Sequence, residues 1–202
     1  MLCFIIETGK YSCFDRQTMQ YKKKEGSDMK GIILYKSKYG ATKKYAGWLA
    51  EETGFTLCEV TKVRVSDLDA YDTIVIGGGI YASGVAGLDF LKKHYETLKA
   101  KKIIVFCDGA SPYEEKAFEE IRKHNMKDKL KDIPFFYCRG GWDMDAMTFM
   151  DRNLCKMLRK AVAKKDPADY EVWEAALMAA GDDACDWTDQ AYLKPVLEEI
   201  YR

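Results

Sequence analysis

Apolar runs of strand length alternate with helical patterns along most of the chain. The runs at 31–36, 55–60, 73–77, 102–107 and 133–139 are rich in Ile, Val, Leu and Phe and have the length of buried strands. Between most of these runs, apolar residues recur at the three- and four-residue intervals of one helix face. Strands that alternate with helices predict a doubly wound α/β fold, in which a five-stranded parallel sheet is covered by helices on both faces.

Two helix boundaries can be predicted from local residues. In the helix after the first run, Tyr45 and Leu49 share one apolar face, and Gly54 follows as a C-terminal stop. A later helix is expected to begin at Pro112, because Ser111 offers a capping hydroxyl and proline favours the first helical position.

Three more helices are predicted after the fifth run, so the fold should carry extra helices at its C-terminal end. They cover 145–165, a segment that runs from Asp166 toward Gly181, and 187–201. Pro195 lies inside the last segment, where it either kinks the helix or marks its true start.

The 145–165 helix combines apolar and basic residues. Its apolar side holds Met147, Met150, Leu154, Met157 and Ala161. The basic residues nearby are Arg152, Lys156, Arg159 and Lys160. Most stripes of this kind pack on a core and leave the charges in solvent. A basic amphipathic helix also suits a membrane surface, so core packing and peripheral membrane contact are both open.

Residues 1–28 show no clear hydrophobic period and are predicted to be a flexible leader to a single domain at 29–202. Met29 stands immediately before the first strand, so an upstream start codon is the alternative origin of this leader. The apolar start at 2–6 is too short for a signal peptide or a membrane span.

Composition limits the class of protein. Basic and acidic residues balance at 32 each, so no overall field attracts nucleic acid, and we expect no nucleic-acid partner. The 7 cysteines show neither paired spacing nor metal-ligand spacing. They predict reduced thiols and a cytoplasmic location, and no metal site is expected.

The turn after the first strand has the character of a phosphate cradle. Its six residues are Ser37, Lys38, Tyr39, Gly40, Ala41 and Thr42. Hydroxyls bracket a glycine at a point where a strand ends and a helix begins, so unpaired amides and the helix dipole favour an anion. The lysine of a nucleoside-triphosphate loop has no counterpart here. The alternative interpretation is an ordinary turn with a capping hydroxyl.

Two further loops follow strands that end at the same edge of the predicted sheet. The loop at 77–84 contains three consecutive glycines, which permit positive φ and let a flat ligand approach the backbone. Its candidate binding residues are Gly78, Gly79, Ile80, Tyr81 and Ala82. The loop at 107–113 adds Asp108, Gly109, Ala110 and Tyr113. The tyrosines are candidate aromatic walls, although a tyrosine at a loop base more often packs than stacks on a ligand.

The second loop also satisfies a loose dinucleotide pattern. Gly77, Gly79 and Ala82 match G-x-G-x-x-G/A, and Asp108 stands as a ribose partner. A dinucleotide fingerprint usually opens the first βα unit, whereas here a complete strand-helix unit and a second strand come first. Asp108 also follows later than the usual spacing of about 20 residues.

These motifs together resemble the flavodoxin fold, which binds FMN. The resemblance covers 29–201 and implies a three-layer sheet of order 2-1-3-4-5, with the phosphate at 37–42 and the isoalloxazine ring between 77–84 and 107–113. The chain is most similar to the flavodoxin-domain branch that includes the menaquinone-dependent protoporphyrinogen dehydrogenases. The motifs that indicate this branch are Tyr71-Asp72-Thr73-Ile74-Val75-Ile76-Gly77, Gly140-Gly141-Trp142, Met150-Asp151-Arg152 and Asp186-Trp187-Thr188.

Three functions fit these observations. The first is an FMN-dependent oxidoreductase that passes electrons from an organic substrate to a quinone-like acceptor. The second is a flavodoxin that carries electrons to a redox protein, although shuttles of this family are acidic and this chain is neutral. The third is a non-redox binding module. No side-chain catalyst is expected, because His94 and His124 fall on predicted helices and the flavin supplies the chemistry.

Overall fold

The computed structural model describes residues 29–202 of the protein. The predicted leader at 1–28 lies outside the described residues. Within the described part the strands are β1 (Gly31–Lys36), β2 (Thr56–Glu59), β3 (Thr73–Tyr81), β4 (Gly84–Val85), β5 (Lys102–Gly109), β6 (Phe135–Arg139), β7 (Gly141–Trp142) and β8 (Cys185–Asp186). The helices are α1 (Ala41–Thr53), α2 (Leu88–Leu98), α3 (Glu115–Asn125), α4 (Phe149–Val162), α5 (Val172–Ala180) and α6 (Lys194–Tyr201).

The main sheet has the predicted topology. Its strands lie in the order β2-β1-β3-β5-β6 and all pair in parallel, while β4 forms a short antiparallel hairpin with β3. Counted without β4, this is the order 2-1-3-4-5. The order reverses direction between β1 and β3, and a doubly wound sheet binds its ligands in the crevice at such a switch point.

Alternation along the strands builds a core on each face of the sheet. Ile32 and Leu34 point to the face covered by α2, whose Leu91 is fully buried. Ile33 points to the opposite face, which α1 and α6 cover with residues that include Leu49. The predicted apolar face of α1 is therefore confirmed, as is its C-terminal stop at Gly54, where φ is 73°.

Strand β3 is longer than predicted. Gly77, Gly78 and Gly79 belong to the strand, and none of them has the positive φ expected of a glycine loop. Their lack of a side chain serves packing instead: a Cβ on Gly77 would lie 2.1 Å from the Phe106 ring, and one on Gly78 would lie 1.9 Å from the Ala86 carbonyl oxygen. The loop is thus reduced to a tight hairpin after Tyr81.

The predicted start of α3 is wrong. The helix begins at Glu115, and the Glu114 carboxylate caps it by accepting the amides of Lys116 and Ala117 at 2.9 and 2.7 Å. Ser111 does not cap the helix; its carbonyl accepts a hydrogen bond from the Tyr137 hydroxyl at 2.6 Å. That contact holds the segment before α3 against β6.

The C-terminal helices are shorter than predicted. α4 begins at Phe149 with Thr148 as its cap, and Asp166 caps only a short 3-10 turn before α5. Pro195 marks the true start of α6. The residues directly before it form a 3-10 turn at Gln190–Leu193 in place of the predicted continuous helix, and β8 pairs with β7 in a small antiparallel sheet. No helix in the described part of the chain has the length and apolar character needed to cross a membrane.

Candidate functional site

The turn between β1 and α1 leaves the start of the helix open. Gly40 stands at the N-cap with φ of 100°, and no side chain caps the helix within the described residues. The Ser37 hydroxyl accepts the Gly40 amide at 3.0 Å, which folds the turn. A Cβ on Gly40 would meet nothing within 4 Å, so the backbone is uncrowded at the N-cap itself. This is the environment that an anion requires.

A buried pair connects this turn to β5. The Thr42 hydroxyl donates to Asp108 Oδ2 at 2.5 Å, and Asp108 is only 6% exposed. Burial raises the pKa of Asp108 to about 6, and the hydrogen bond from Thr42 partly opposes that rise. Gly140 allows this arrangement, because a Cβ there would lie 2.9 Å from Asp108 Oδ1. The Thr42 hydroxyl therefore faces a carboxylate, and its backbone amide is the group left for a ligand.

Tyr81 connects the same turn to the end of β3. Its hydroxyl accepts the Lys38 amide at 3.2 Å, and its ring meets the Tyr39 ring edge-on at a centroid distance of 6.1 Å. Of the three tyrosines proposed as aromatic walls, Tyr39 and Tyr81 thus contact each other. The segments that follow β1, β3 and β5 meet at one edge of the sheet.

A carboxylate from α4 already lies against the cradle. Asp151 accepts hydrogen bonds from the Lys38 ammonium and the Tyr39 hydroxyl. The Lys38 contact lowers the pKa of Asp151 and raises that of Lys38. The cradle residues thus bind a negative group that the chain itself supplies.

The hairpin between β3 and β4 turns on two residues with positive φ. Ala82 and Ser83 have φ of 46° and 67°, a conformation that costs free energy in residues other than glycine. Asn125 holds this hairpin: its amide nitrogen donates to the Ser83 carbonyl at 2.7 Å, and its amide oxygen accepts the Val85 amide at 2.9 Å. Its amide nitrogen also donates to the Ile121 carbonyl at 2.8 Å, and because Asn125 is 2% exposed, these three hydrogen bonds replace the water that burial removes.

A cavity of about 930 Å³ lies beside the segment that follows β5. The Tyr137 hydroxyl, within 3.1 Å of the Gly109 carbonyl, positions this segment from β6. Residues that line the cavity include Ile80, Ser83, Ala110, Tyr113, Tyr137 and Trp173. The cavity therefore joins two of the three predicted loops to the start of α5.

Comparison with known proteins identifies the family. Residues 32–170 match the flavodoxin domain family. The chain belongs to this family. A relative of this flavodoxin-family chain is an uncharacterized protein of Methanocaldococcus jannaschii, 32% identical over 120 residues, which are 55% of this chain and 76% of the relative.

Solved structures similar to this flavodoxin-family chain include two flavoproteins. A WrbA-like flavodoxin from Agrobacterium tumefaciens is 19% identical over 61% of this chain and 88% of its own, with a TM-score of 0.39. A flavoprotein from Lactobacillus acidophilus, solved in complex with FMN, is 19% identical over 55% of this chain and 92% of its own, also with a TM-score of 0.39.

The predicted site residues of this flavodoxin-family protein fall into three groups. The turn at 37–42 meets Tyr81 and Asp108 through hydrogen bonds. Ile80, Gly109, Ala110 and Tyr113 line the cavity, and Tyr113 is 54% exposed there. Gly78 and Gly79 are buried inside β3, and Ala82 is at the tip of the hairpin. The binding roles of all these residues stay predictions.

Two residues at the site of this flavodoxin-family protein have no binding role in the sequence-based prediction, although Asp151 belongs to the motif Met150-Asp151-Arg152. Asp151 lies 113 positions from Lys38, so no local spacing connects them. Asn125 occupies the last position of α3. Nothing in the local sequence marks it as important, and only the folded structure shows that it is buried. Within residues 29–202, no cluster of three or more His, Cys, Asp or Glu side chains suits a metal ion.

Proposed function

We propose that this protein binds FMN and transfers electrons through it. The observation that carries the proposal is the convergence of three segments at the switch point of the sheet, where Thr42 contacts Asp108 and Tyr81 contacts Lys38. Membership of the flavodoxin domain family supports it. The solved relative that contains FMN suggests which flavin to test. The bound flavin would supply the redox chemistry, and the protein would supply position and exclusion of water.

The residues at the site fit such a ligand in two parts. The open first turn of α1, with Ser37 and Lys38 beside it, suits a phosphate monoester, since it combines unpaired amides, a hydroxyl and an ammonium. The hairpin at Tyr81 and the segment 108–113 would flank the ring. The contacts of Asp151 support an anion site, because its carboxylate already accepts hydrogen bonds from the Lys38 ammonium and the Tyr39 hydroxyl.

We further propose that the protein is an oxidoreductase that acts on an organic substrate, as in the protoporphyrinogen dehydrogenase-like branch, with a quinone-like acceptor. The cavity of about 930 Å³ favours this function over simple electron carriage, because it extends from the segments proposed to flank the ring as far as Val172 and Trp173 and so offers room for a second molecule beyond the ring. The 5 free cysteines within the described residues are consistent with a cytoplasmic location, which belongs to the same proposal.

The decisive measurement is the visible absorbance of the purified full chain, with mass spectrometry of the released ligand. We expect a yellow protein that releases FMN, or a colourless one that becomes yellow with FMN and binds riboflavin more weakly. A colourless protein that does not change on addition of FMN would contradict the proposal and favour the non-redox binding module.

A second measurement separates the enzyme from the carrier. Flavin absorbance is followed under anaerobic conditions as small organic reductants are added, with a flavin reductase protein and its nicotinamide cofactor as the comparison. An enzyme is expected to be reduced by an organic substrate alone and reoxidised by a soluble quinone. Reduction by the reductase protein alone would favour the electron carrier.

A further inference from the structure

Helix α4 turns three of its charged residues, Asp151, Arg152 and Arg159, toward the rest of the protein. The Arg152 guanidinium donates to the carbonyls of Met144 and Asp145 at 2.7 and 2.6 Å. Arg159 forms an ion pair with Asp182 at 2.5 Å. Asp151 contacts the cradle, as described above. The inner face of this helix is therefore held by polar contacts.

The apolar residues of α4 point outward as a result. Phe149 and Met150 are each 80% exposed, Met157 is 67% exposed, and Leu154 and Leu158 are also exposed. At about 100° per residue these five positions fall within one half of the helix circumference. Of the two interpretations left open for the predicted apolar side, packing on the core is wrong, because Met150, Leu154 and Met157 are exposed and Met147 lies before the helix begins. The predicted helical period is correct, but the polar half of the helix faces the protein because its charged residues form the hydrogen bonds and the ion pair described above.

The exposed half of α4 carries positive charge and no negative charge. Lys156 and Lys160 are exposed beside Phe149 on the helix circumference. Asp151 is the single acidic residue of α4, and it faces the cradle. Together the exposed apolar residues and the two lysines define the outer face of α4.

We propose that the outer face of α4 docks on an anionic lipid surface. Phe, Met and Leu side chains flanked by lysines suit the boundary between acyl chains and negative headgroups. A second copy of this chain is a poorer partner, because two such faces would bring lysines together without an acidic residue on the face to pair with them. Lipid satisfies both the apolar and the charged part of the surface.

The cavity adds a consequence that rests on the proposed function. Leu158 belongs to the outer face of α4 and also lines the cavity. Val172, the first residue of α5, lines the cavity as well and is exposed. A docked protein would therefore present the cavity beside the lipid. An apolar substrate or acceptor dissolved in the bilayer could then enter without crossing water.

Flotation of the full chain with lipid vesicles tests the docking. Wild-type protein is expected to float with vesicles that contain phosphatidylglycerol, and to float poorly with phosphatidylcholine alone or at high salt. Replacing both lysines, in K156E/K160E, is expected to lower the partition coefficient by at least about 30-fold, because two attractive charges are lost and two repelled charges are added. The variant M150D/M157D should also fail to float, because it places two charges where the acyl chains would contact the helix.

The matched control is K92E/K93E, which makes the same charge change at two exposed lysines of α2. It should float like the wild type. Equal flotation of K156E/K160E and the wild type, or no flotation of the wild type, would overturn the docking. A wild-type dimer in sedimentation that M150D/M157D converts to monomer would also overturn it and assign the face to self-association. Flotation does not depend on flavin, so failure here would be distinguishable from failure of the proposed redox function.

Discussion

At the scale of single residues, the site pays its largest electrostatic cost at Asp108, whose ionised carboxyl group is buried. A carboxyl group that is 6% exposed has lost most of its hydration, and one hydroxyl from Thr42 replaces only part of it. Its pKa of about 6 lies above the ordinary value of about 3.9 that the unfolded chain would show. The native state therefore binds more protons than the unfolded state between these two values.

The pH dependence of stability follows from that difference. Because the native pKa is the higher one, the contribution of Asp108 to the free energy of unfolding falls as the pH rises from about 4 to about 6 and stays low above that. We expect D108N to remove this loss and to be more stable than the wild type by up to about 3 kcal/mol near pH 8, with little difference near pH 4.

Urea unfolding of both proteins across this range is the measurement. The control is D69N, which changes an exposed aspartate and should follow the wild-type curve. A D108N protein that loses stability equally at every pH would show instead that the carboxylate is needed for packing.

Asp151 gives a second prediction at this scale. A bound phosphate would meet the Asp151 carboxylate at the Lys38 ammonium, and two negative groups would compete for one positive partner. D151N is therefore expected to tighten FMN binding about two- to fivefold, the effect of one exposed ion pair, and to leave riboflavin binding unchanged.

Fluorescence titration with both flavins measures this change. D182N is the matched control, since it breaks the Arg159 ion pair of the same helix without a contact to the cradle. Weaker FMN binding by D151N would mean that Asp151 positions Lys38 for the phosphate rather than competing with it.

At the scale of elements, the hairpin between β3 and β4 depends on α3. Asn125, at the end of α3, satisfies a carbonyl and an amide of the hairpin from its buried position. The positive φ of Ala82 and Ser83 at the tip costs free energy, so the hairpin depends on the hydrogen bonds that Asn125 supplies.

We expect N125A to lower the free energy of unfolding by about 1–3 kcal/mol, because it leaves buried hydrogen-bonding groups of the hairpin without partners. Flavin affinity should fall as well, since the hairpin is one wall of the proposed ring site. Chemical unfolding and flavin titration measure the two effects. N153A, at an exposed position of α4, should change neither. Wild-type stability in N125A would show that the hairpin does not need the hydrogen bonds from Asn125.

At the scale of the whole molecule, a ligand that binds only the native state stabilises it by mass action. FMN at 100 times its dissociation constant is expected to raise the free energy of unfolding by about 2.7 kcal/mol. Thermal unfolding at increasing FMN concentration measures this linkage, with AMP as a phosphate-bearing control that lacks the flavin ring. Equal stabilisation by AMP would mean that the cradle binds phosphate without selecting a flavin.

The sequence determined the five parallel strands and their order in the sheet. The alternation of strand-length apolar runs with helical spacing was enough to predict the five parallel strands and the position of the cradle, since these follow from local periods. General rules of α/β topology then predicted the edge of the sheet where the three segments meet. The tertiary structure decided the contacts between distant positions, such as Asp151 with Lys38 and Asn125 with Ser83. It also decided that α4 turns its apolar side outward. A helical period shows that a helix has two faces, but only packing determines which face has partners.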